Sequence, residues 1–297
     1  MHLEIRKHDG PSRLGWLHYD GSKIKTPNFF SVLTKNRTLK HDIYLSSNDN
    51  KDKPTPIMLD YGSLLIEKEI RGFGILPRMD VGFDVPRGIA EDAVLKTVDF
   101  TRKYPDFGAV IVGSKYKDLR LECAEKLKDH PLLAISNGDK LVKNPRLMVE
   151  VVTAIREIAS PNTALYFQAA PPHMFYLLSY MGVDLYDSID CVAKAWEKKM
   201  ITSRGDLFLE KIDELPCSCK ICKESTPDDL CQDVNKLVQH NFDATLRIIK
   251  EIRVAMRRNE LRNLVEEKAS SNINSMVALR LLDMEKEDFL ERYTRVS

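Results

Sequence analysis

Apolar positions along the chain change period several times, and the changes divide it into segments. Over the first fifty residues the apolar runs are short and separated by turns. Trp16-Leu17-His18-Tyr19 and Asn28-Phe29-Phe30-Ser31-Val32-Leu33 read as strands, and Ser46 to Lys53 is a polar surface loop. From about residue 55 a different rhythm begins. Short continuous apolar runs (Ile57-Met58-Leu59, Ala109-Val110-Ile111-Val112, Leu132-Leu133-Ala134-Ile135, Ala164-Leu165-Tyr166-Phe167 and the segment Val183 to Ile189) alternate with stretches of helical spacing. Those stretches are Glu91 to Tyr104, Leu119 to Leu127, Leu147 to Ile158 and Met174 to Met181. Apolar runs without alternation belong to strands buried on both faces, and their regular exchange with helices predicts parallel βα units. At least five such units lie between residues 55 and 195, which suits either a closed (β/α)8 barrel or an open doubly wound sheet. No glycine-rich fingerprint opens a helix after the first strand, which argues against a dinucleotide fold. After Trp196 a cysteine cluster is followed by an almost unbroken helical pattern from Pro227 to Arg292. The expected organisation is an N-terminal β segment (1–54), a βα core (55–200) and a cysteine-bearing, helical C-terminal region (201–297).

Composition narrows the class. The 297 residues are 43% hydrophobic, enough for a sizeable core, and 30% charged with a net charge of +1. That balance excludes a generally basic nucleic-acid coat but allows a local basic patch. Neither an apolar run of membrane-spanning length nor a signal core at Met1 to Lys7 is present, so a cytoplasmic protein is expected. Basic residues recur on the helix after the cysteine cluster (Arg247, Lys250, Arg253, Arg257, Arg258, Arg262). Their spacings of three and four put several on one face, either as a track for RNA phosphates or as a solvated face balanced by Glu251, Glu260, Glu266 and Glu267.

Three of the six cysteines crowd into Cys217-Ser218-Cys219-Lys220-Ile221-Cys222. A disulfide framework spreads its cysteines, whereas three thiols in one tight loop suit a single metal. A closed zinc site needs a fourth ligand: His240, on the following helix, is the first candidate, and Cys231, nearer in sequence, the second. Two carboxylates follow strand-like runs: Asp60 after Ile57-Met58-Leu59, and Asp187 in Val183-Asp184-Leu185-Tyr186-Asp187-Ser188. At the C-terminal face of a barrel such a pair can act as nucleophile and general acid/base on a glycosidic carbon; elsewhere each would cap a helix or fix a loop. Asp80 and Asp84, flanking Gly82, read as solvated loop carboxylates.

In combination these blocks carry a resemblance. Leu215-Pro216-Cys217-Ser218-Cys219-Lys220-Ile221-Cys222 with His240-Asn241 resembles the zinc motif of the tRNA-guanine transglycosylases, archaeal branch. Gly182 to Ser188 is similar to that family's nucleophile block, and Leu59-Asp60-Tyr61-Gly62-Ser63 to the block with its other active-site aspartate. Phe83 to Pro86, Tyr116 to Arg120, Gly15 and Lys25-Thr26-Pro27 fall in register, so the match runs from about residue 4 to residue 268. The resemblance implies a TIM barrel with a zinc subdomain, Zn2+ on Cys217, Cys219, Cys222 and His240, and tRNA as substrate. It also implies Asp187 as the nucleophile at the ribose C1′, Asp60 as general acid/base, and Tyr61, Gly62 and Gly138 at the substrate. The base-reading positions depart from the family: Tyr61 to Leu65 replace a small residue, a Gly pair, an aromatic and Gln. Val112 replaces a Gln, an aspartate aligns with about Arg78, and the Gly-Gly pair with Asn137-Gly138 or Gly138-Asp139. A site without donors and acceptors for a base edge discriminates poorly. The pattern is closest to the transglycosylase-like part of archaeosine synthase, which acts on tRNA already carrying the deazaguanine. It implies either such an enzyme, an active base-exchange enzyme with a rebuilt pocket, or a non-catalytic tRNA-binding subunit. A separate chain would supply the family's PUA-type RNA-binding module.

Overall fold

The computed structural model describes residues 1–33, 39–47, 56–70 and 72–292; most of the polar loop expected at 46–53 lies outside them. Three antiparallel strands, β1 (His2–Asp9), β2 (Ser12–Tyr19) and β3 (Ser22–Thr26), open the chain. Eight parallel strands follow: β4 (Asn28–Val32), β5 (Tyr44–Ser46), β6 (Ile57–Asp60), β7 (Gly74–Ile75), β8 (Ala109–Ile111), β9 (Leu132–Ile135), β10 (Ala164–Phe167) and β11 (Leu185–Asp187). Their spatial order is β7-β6-β5-β4-β11-β10-β9-β8. The seam between the outer strands is closed by one parallel bridge between Ile75 and Gly108, where Gly108 N–H donates to the Gly74 carbonyl (2.9 Å) and Leu76 N–H to that of Gly108 (2.8 Å). This is the TIM-type barrel, not the open sheet.

The two halves of the barrel differ. The strands from β7 onward are followed by helices: α1 (Arg87–Thr101), α2 (Lys117–Leu127), α3 (Gly138–Leu141) with α4 (Pro145–Ile158), α5 (Phe175–Tyr180) and α6 (Ile189–Trp196). Among the described residues no helix follows β4, β5 or β6. A later element covers β4 instead. After the hairpin β12 (Lys199–Thr202) and β13 (Gly205–Phe208) come α7 (Lys220–Lys223), α8 (Pro227–Gln232) and the long α9 (Val234–Arg258). The buried face of α9 repeats at three and four residues (Leu237, Val238, Phe242, Thr245, Ile249, Ile252, Met256), the spacing that fixes an amphipathic helix on a core. Phe242 meets Phe29 of β4 edge-on at 5.2 Å, and His41 stacks on the same ring at 4.3 Å. Phe29 therefore faces outward to α9, while its neighbour Phe30 faces inward and packs edge-on against Tyr166 at 5.1 Å.

The helical pattern expected from Pro227 to Arg292 is broken four times, separating α8, α9, α10 (Leu261–Ala269), α11 (Ile273–Glu285) and α12 (Glu287–Arg292). Three of the breaks fall at capping residues. Asp233 accepts the N–H groups of Asn235 and Lys236, Asn259 ends α9 in the left-handed conformation (φ 60°), and Asn272 accepts from Asn274 and Ser275. Each side chain supplies or frees a backbone group that a continuous helix would have satisfied itself.

The sheet β1–β3 plugs the N-terminal mouth of the barrel. Arg13 of β2 is buried there, with Nε donating to Asp184 Oδ1 (3.1 Å), Nη1 to the Pro161 carbonyl (2.6 Å) and Nη2 to that of Thr163 (2.9 Å). All three acceptors precede β10 or β11. Tyr19 likewise donates to the Ile57 carbonyl at the start of β6 (2.6 Å). The opposite mouth, at the C-terminal strand ends, holds the candidate site.

Candidate functional site

Asp60 and Asp187 both end barrel strands, β6 and β11, at the same mouth. Asp187 is 1% exposed, and its carboxylate is fully engaged. Oδ2 accepts the Tyr166 hydroxyl (2.7 Å) and the Ala169 N–H (2.8 Å), and Oδ1 accepts the Ile189 N–H (3.0 Å). The last of these satisfies the first backbone N–H of α6, from the residue before the cap position Ser188. Burial pushes the Asp187 carboxyl above its usual range; the three donors pull it down and the nearby charge of Asp60 adds to the rise. Tyr166 is held well above the usual phenol range by burial and by Asp187, so it stays a donor. The run Ala164-Leu165-Tyr166-Phe167 carried the signal for this: a tyrosine inside a fully buried strand has to find a partner for its hydroxyl.

Asp60 has different neighbours. Its Oδ1 accepts the Gly62 N–H (2.9 Å) and Nη1 of Arg78 (2.8 Å), in an ion pair whose members are 20% and 15% exposed. Arg78 also donates its backbone N–H to the Gly62 carbonyl (3.0 Å), which ties the loops after β6 and β7 together. The position where the resemblance expects an aspartate thus carries the cation that pairs with Asp60. Tyr61 turns away from the mouth: its buried ring packs by Gly74 and its hydroxyl donates to the Gly72 carbonyl (2.7 Å). Leu65 is 72% exposed, so it does not fill the space between the carboxylates. Gly138 is needed for packing, because a Cβ there would stand 2.0 Å from the Gln168 carbonyl oxygen. Buried Arg120 braces the same mouth, donating to the carbonyls of Ser114 (2.7 Å) and Ser136 (3.0 Å) and to the Asn137 side chain (3.2 Å).

One cluster beside this pair has no counterpart in the sequence reading. Asp190 lies in the first turn of α6, and burial pushes its carboxyl up to about 7 against the lowering pull of Lys194. Lys194 Nζ is 3.3 Å from Asp206 Oδ2. Among the described residues, Asp190 Oδ2, Asp206 Oδ1 and His173 Nδ1 are buried atoms without a hydrogen-bond partner.

The second centre is the cysteine cluster. The ligand atoms of Cys217, Cys219, Cys222 and His240 all lie within 4.8 Å of one another, and Cys231 is outside the group. His240 Nδ1 is 3.4 Å from Cys219 Sγ and 3.2 Å from Cys222 Sγ. Its Nε2 is 3.1 Å from the Ile201 carbonyl. A carbonyl only accepts, so Nε2 carries the proton and Nδ1 presents a lone pair to the sulfurs. Burial holds the imidazole below its usual pKa, in the neutral form that a ligand requires. A tetrahedral ion with bonds of ~2.0–2.3 Å sets its ligands ~3.5 Å apart, so the four residues fit a metal ion with small adjustments. The loop is short because α7 begins at once: Cys219 is its N-cap and its Sγ accepts the Cys222 N–H (3.4 Å). Arg247, first of the basic stripe, points its Nη2 at Cys217 Sγ (3.4 Å), and Arg262, on α10, is paired with Asp283 and Glu266. The stripe is therefore shorter than its spacing suggested. Asp84 lies on the surface 3.4 Å from Lys115, and Asp80 is 4.0 Å from Arg78.

Comparison with known proteins points the same way. A family model described as "Queuine tRNA-ribosyltransferase" matches residues 92–273. The chain is 27% identical to a protein named tRNA-guanine(15) transglycosylase from Methanobrevibacter smithii, over 98% of this chain and 53% of that one. A protein of the same name from Pyrococcus furiosus is 26% identical over 100% and 61% of the two chains, and one from Methanosarcina mazei 30% identical over 76% and 53%. The chain thus spans between half and two thirds of the length of these relatives.

Proposed function

Since the chain belongs to the queuine tRNA-ribosyltransferase family, we propose that it acts on tRNA in archaeosine (7-deazaguanosine) formation, as a transglycosylase-like protein. The observation that carries this reading is the pair Asp187 and Asp60, brought from the ends of β11 and β6 to one barrel mouth, where the charge of Asp60 reaches Asp187 and its hydrogen-bond partner Tyr166. Asp187 is the group we assign to attack on the ribose C1′. That step makes an ester bond and breaks the bond from C1′ to the base nitrogen, and Asp60 supplies the proton that the departing base takes up. A second base, or water, reverses the sequence. Tyr61 and Gly62 flank Asp60 and shape its loop, and Gly138 borders the mouth with backbone alone. No helix of the described residues is long and apolar enough to cross a membrane.

The resting arrangement favours a relative of archaeosine synthase over a guanine-exchange enzyme. Arg78 pairs with Asp60 as a carboxylate, so Asp60 has to leave that pair and take up a proton from water before it can deliver one to the departing base. Val112 and Arg78 stand where a guanine-reading site needs a Gln and an aspartate. We further assign Zn2+ to the three thiols and His240, as a closed structural ion that staples the barrel to α9. A separate polypeptide with a PUA-type RNA-binding module is the partner we infer, and co-purification tests it. The burial of Asp187 and the engagement of its oxygens favour one second reading, a tRNA-binding subunit without catalysis.

Two assays separate the readings. Radiolabelled guanine is offered with unmodified tRNA to the wild type and to Asp187→Ala, and tRNA carrying a deazaguanine is incubated with each and screened for a covalent adduct. We expect no guanine exchange, and an adduct that Asp187→Ala abolishes. Wild-type exchange would establish the base-exchange alternative, and an adduct absent from both proteins would leave only the non-catalytic subunit.

A further inference from the structure

Away from both centres, a groove of about 810 Å3 runs between the N-terminal sheet and the last turns of α9. Arg6, Trp16 and Lys25 line one wall, and Lys250, Arg253, Arg257 and Arg258 the other. Its shape has local causes. In the ladder between β1 and β2, Ile5 pairs with Gly15 and Lys7 with Leu14, so Arg6 is an extra residue at a bulge. A bulge bends its strand and re-aims the side chain it carries. The bend needs Gly15: a Cβ there would stand 2.1 Å from the Glu4 carbonyl oxygen. On the next strand the ammonium groups of Lys23 and Lys25 sit over the Trp16 ring, 4.9 and 5.6 Å from its centroid. Across the groove, Lys250, Arg253 and Arg257 follow at intervals of three and four and share a face of α9.

The charge is one-sided. Asp42 is the carboxylate in the lining. Arg6 pairs with Glu4, and Arg258 with Glu260 at 2.8 Å. Among the described residues no carboxylate lies within 4.0 Å of Lys25, Lys250 or Arg257. A chain with a net charge of only +1 has therefore gathered cations in one place. Four of them are arginines, whose planar forks match phosphate oxygens. The sheet that forms one wall plugs the N-terminal mouth of the barrel, so the groove lies at the end opposite Asp60 and Asp187. Seventeen residues of α9 separate Arg257 from His240, a rise of about 25 Å along the helix.

We propose that this groove is a second tRNA-binding site, gripping the phosphodiester backbone at the N-terminal end of the barrel while another part of the same molecule reaches the aspartates. The inference rests on the reading of the protein as tRNA-directed. The cations supply affinity and orientation without base recognition, and the binding weakens steeply with salt.

The test is fluorescence anisotropy with a labelled, unmodified tRNA transcript and the full chain loaded with metal. The proteins are the wild type, the double variant Arg6→Glu/Arg257→Glu and a control, Arg102→Glu/Lys103→Glu, reversed outside the groove. We expect the groove variant to lose at least tenfold in affinity at 150 mM salt. Its plot of log affinity against log salt should be shallower by about 2, one per lost phosphate contact, while the control keeps the wild-type values. Should the double reversal fail to fold, Arg6→Gln/Arg257→Gln gives the same reading with a loss of about threefold. Wild-type affinity and salt slope in a folded groove variant would overturn the groove assignment and leave the tRNA reading standing. A wild type that does not bind tRNA would overturn both. Poly-glutamate displacing the transcript as effectively as single-stranded RNA of equal charge would reassign the groove to an acidic protein.

Discussion

Asp60 and Asp187 are the same residue type at the same kind of position, yet their surroundings give them different properties. Asp187 trades solvent for three donors and stays buried; Asp60 keeps some water and gains a guanidinium. Asp190, two helix positions into α6, shows what happens when burial is only partly offset, here by Lys194. Its folded pKa of about 7 lies above the unfolded value, so the folded protein holds the proton that the unfolded chain releases as pH rises from about 4. Its contribution to stability is therefore present at low pH and falls away as pH rises towards 7. Asp190→Asn cannot ionise, so relative to the wild type it should gain about 2 kcal/mol between pH 4.5 and pH 8, partly screened by its remaining exposure. Urea unfolding at the two pH values measures this, and an unchanged difference would contradict it.

Among the elements, α3 and α9 are held by local features with definite costs. At the start of α3, Gly138 lets the helix approach β10 to a distance that no Cβ allows, and the obstruction is backbone that cannot rotate aside. Gly138→Ala should cost about 3 kcal/mol in urea unfolding, at the upper end for an overpacked site. Around α9 the group of three thiols and His240, which could hold a metal ion, ties the helix to the preceding loop. Cys219→Ser removes a thiolate from the set and should abolish stoichiometric metal on elemental analysis, whereas Cys231→Ser, outside the cluster, should leave it intact. Helical periodicity alone could not place the ends of α9. They depend on Asp233 and Asn259, polar residues whose capping geometry appears only when the chain turns there.

For the whole molecule, α9 is the part that joins the others. It buries its apolar face on β4, where the first half of the barrel has no helix of its own, offers His240 to the cysteines and lines the basic groove. Removing the metal should therefore loosen the C-terminal region before the barrel. With a chelator, amide hydrogen exchange should accelerate in α7 and the first turns of α9 while β8 to β11 remain protected. Uniform loss of protection would show instead that barrel and helices unfold as one unit.

Much of this was legible in the sequence. The alternation of apolar runs and helices required parallel βα units, because strands buried on both faces admit few polar residues. Three thiols in six residues pointed to one shared metal ion, because a loop that short keeps them close together. The strand-end aspartates were visible as charges that directly follow short apolar runs, Ile57-Met58-Leu59 and Leu185-Tyr186. Other features needed tertiary structure, since they depend on residues far apart in the chain. Closure of the barrel rests on a single bridge from Ile75 to Gly108, and the choice of His240 over Cys231 on how α9 returns to the hairpin. Arg78 reads as an ordinary loop arginine, and only the junction of the β6 and β7 loops makes it the partner of Asp60. Likewise, spacing on α9 showed half of a basic surface; the other half, Arg6 and Lys25, arrives from the opposite end of the chain when the sheet packs beside it. Local pattern is set by neighbours in sequence, whereas ligand sets, ion pairs and grooves are set by which segments folding brings together.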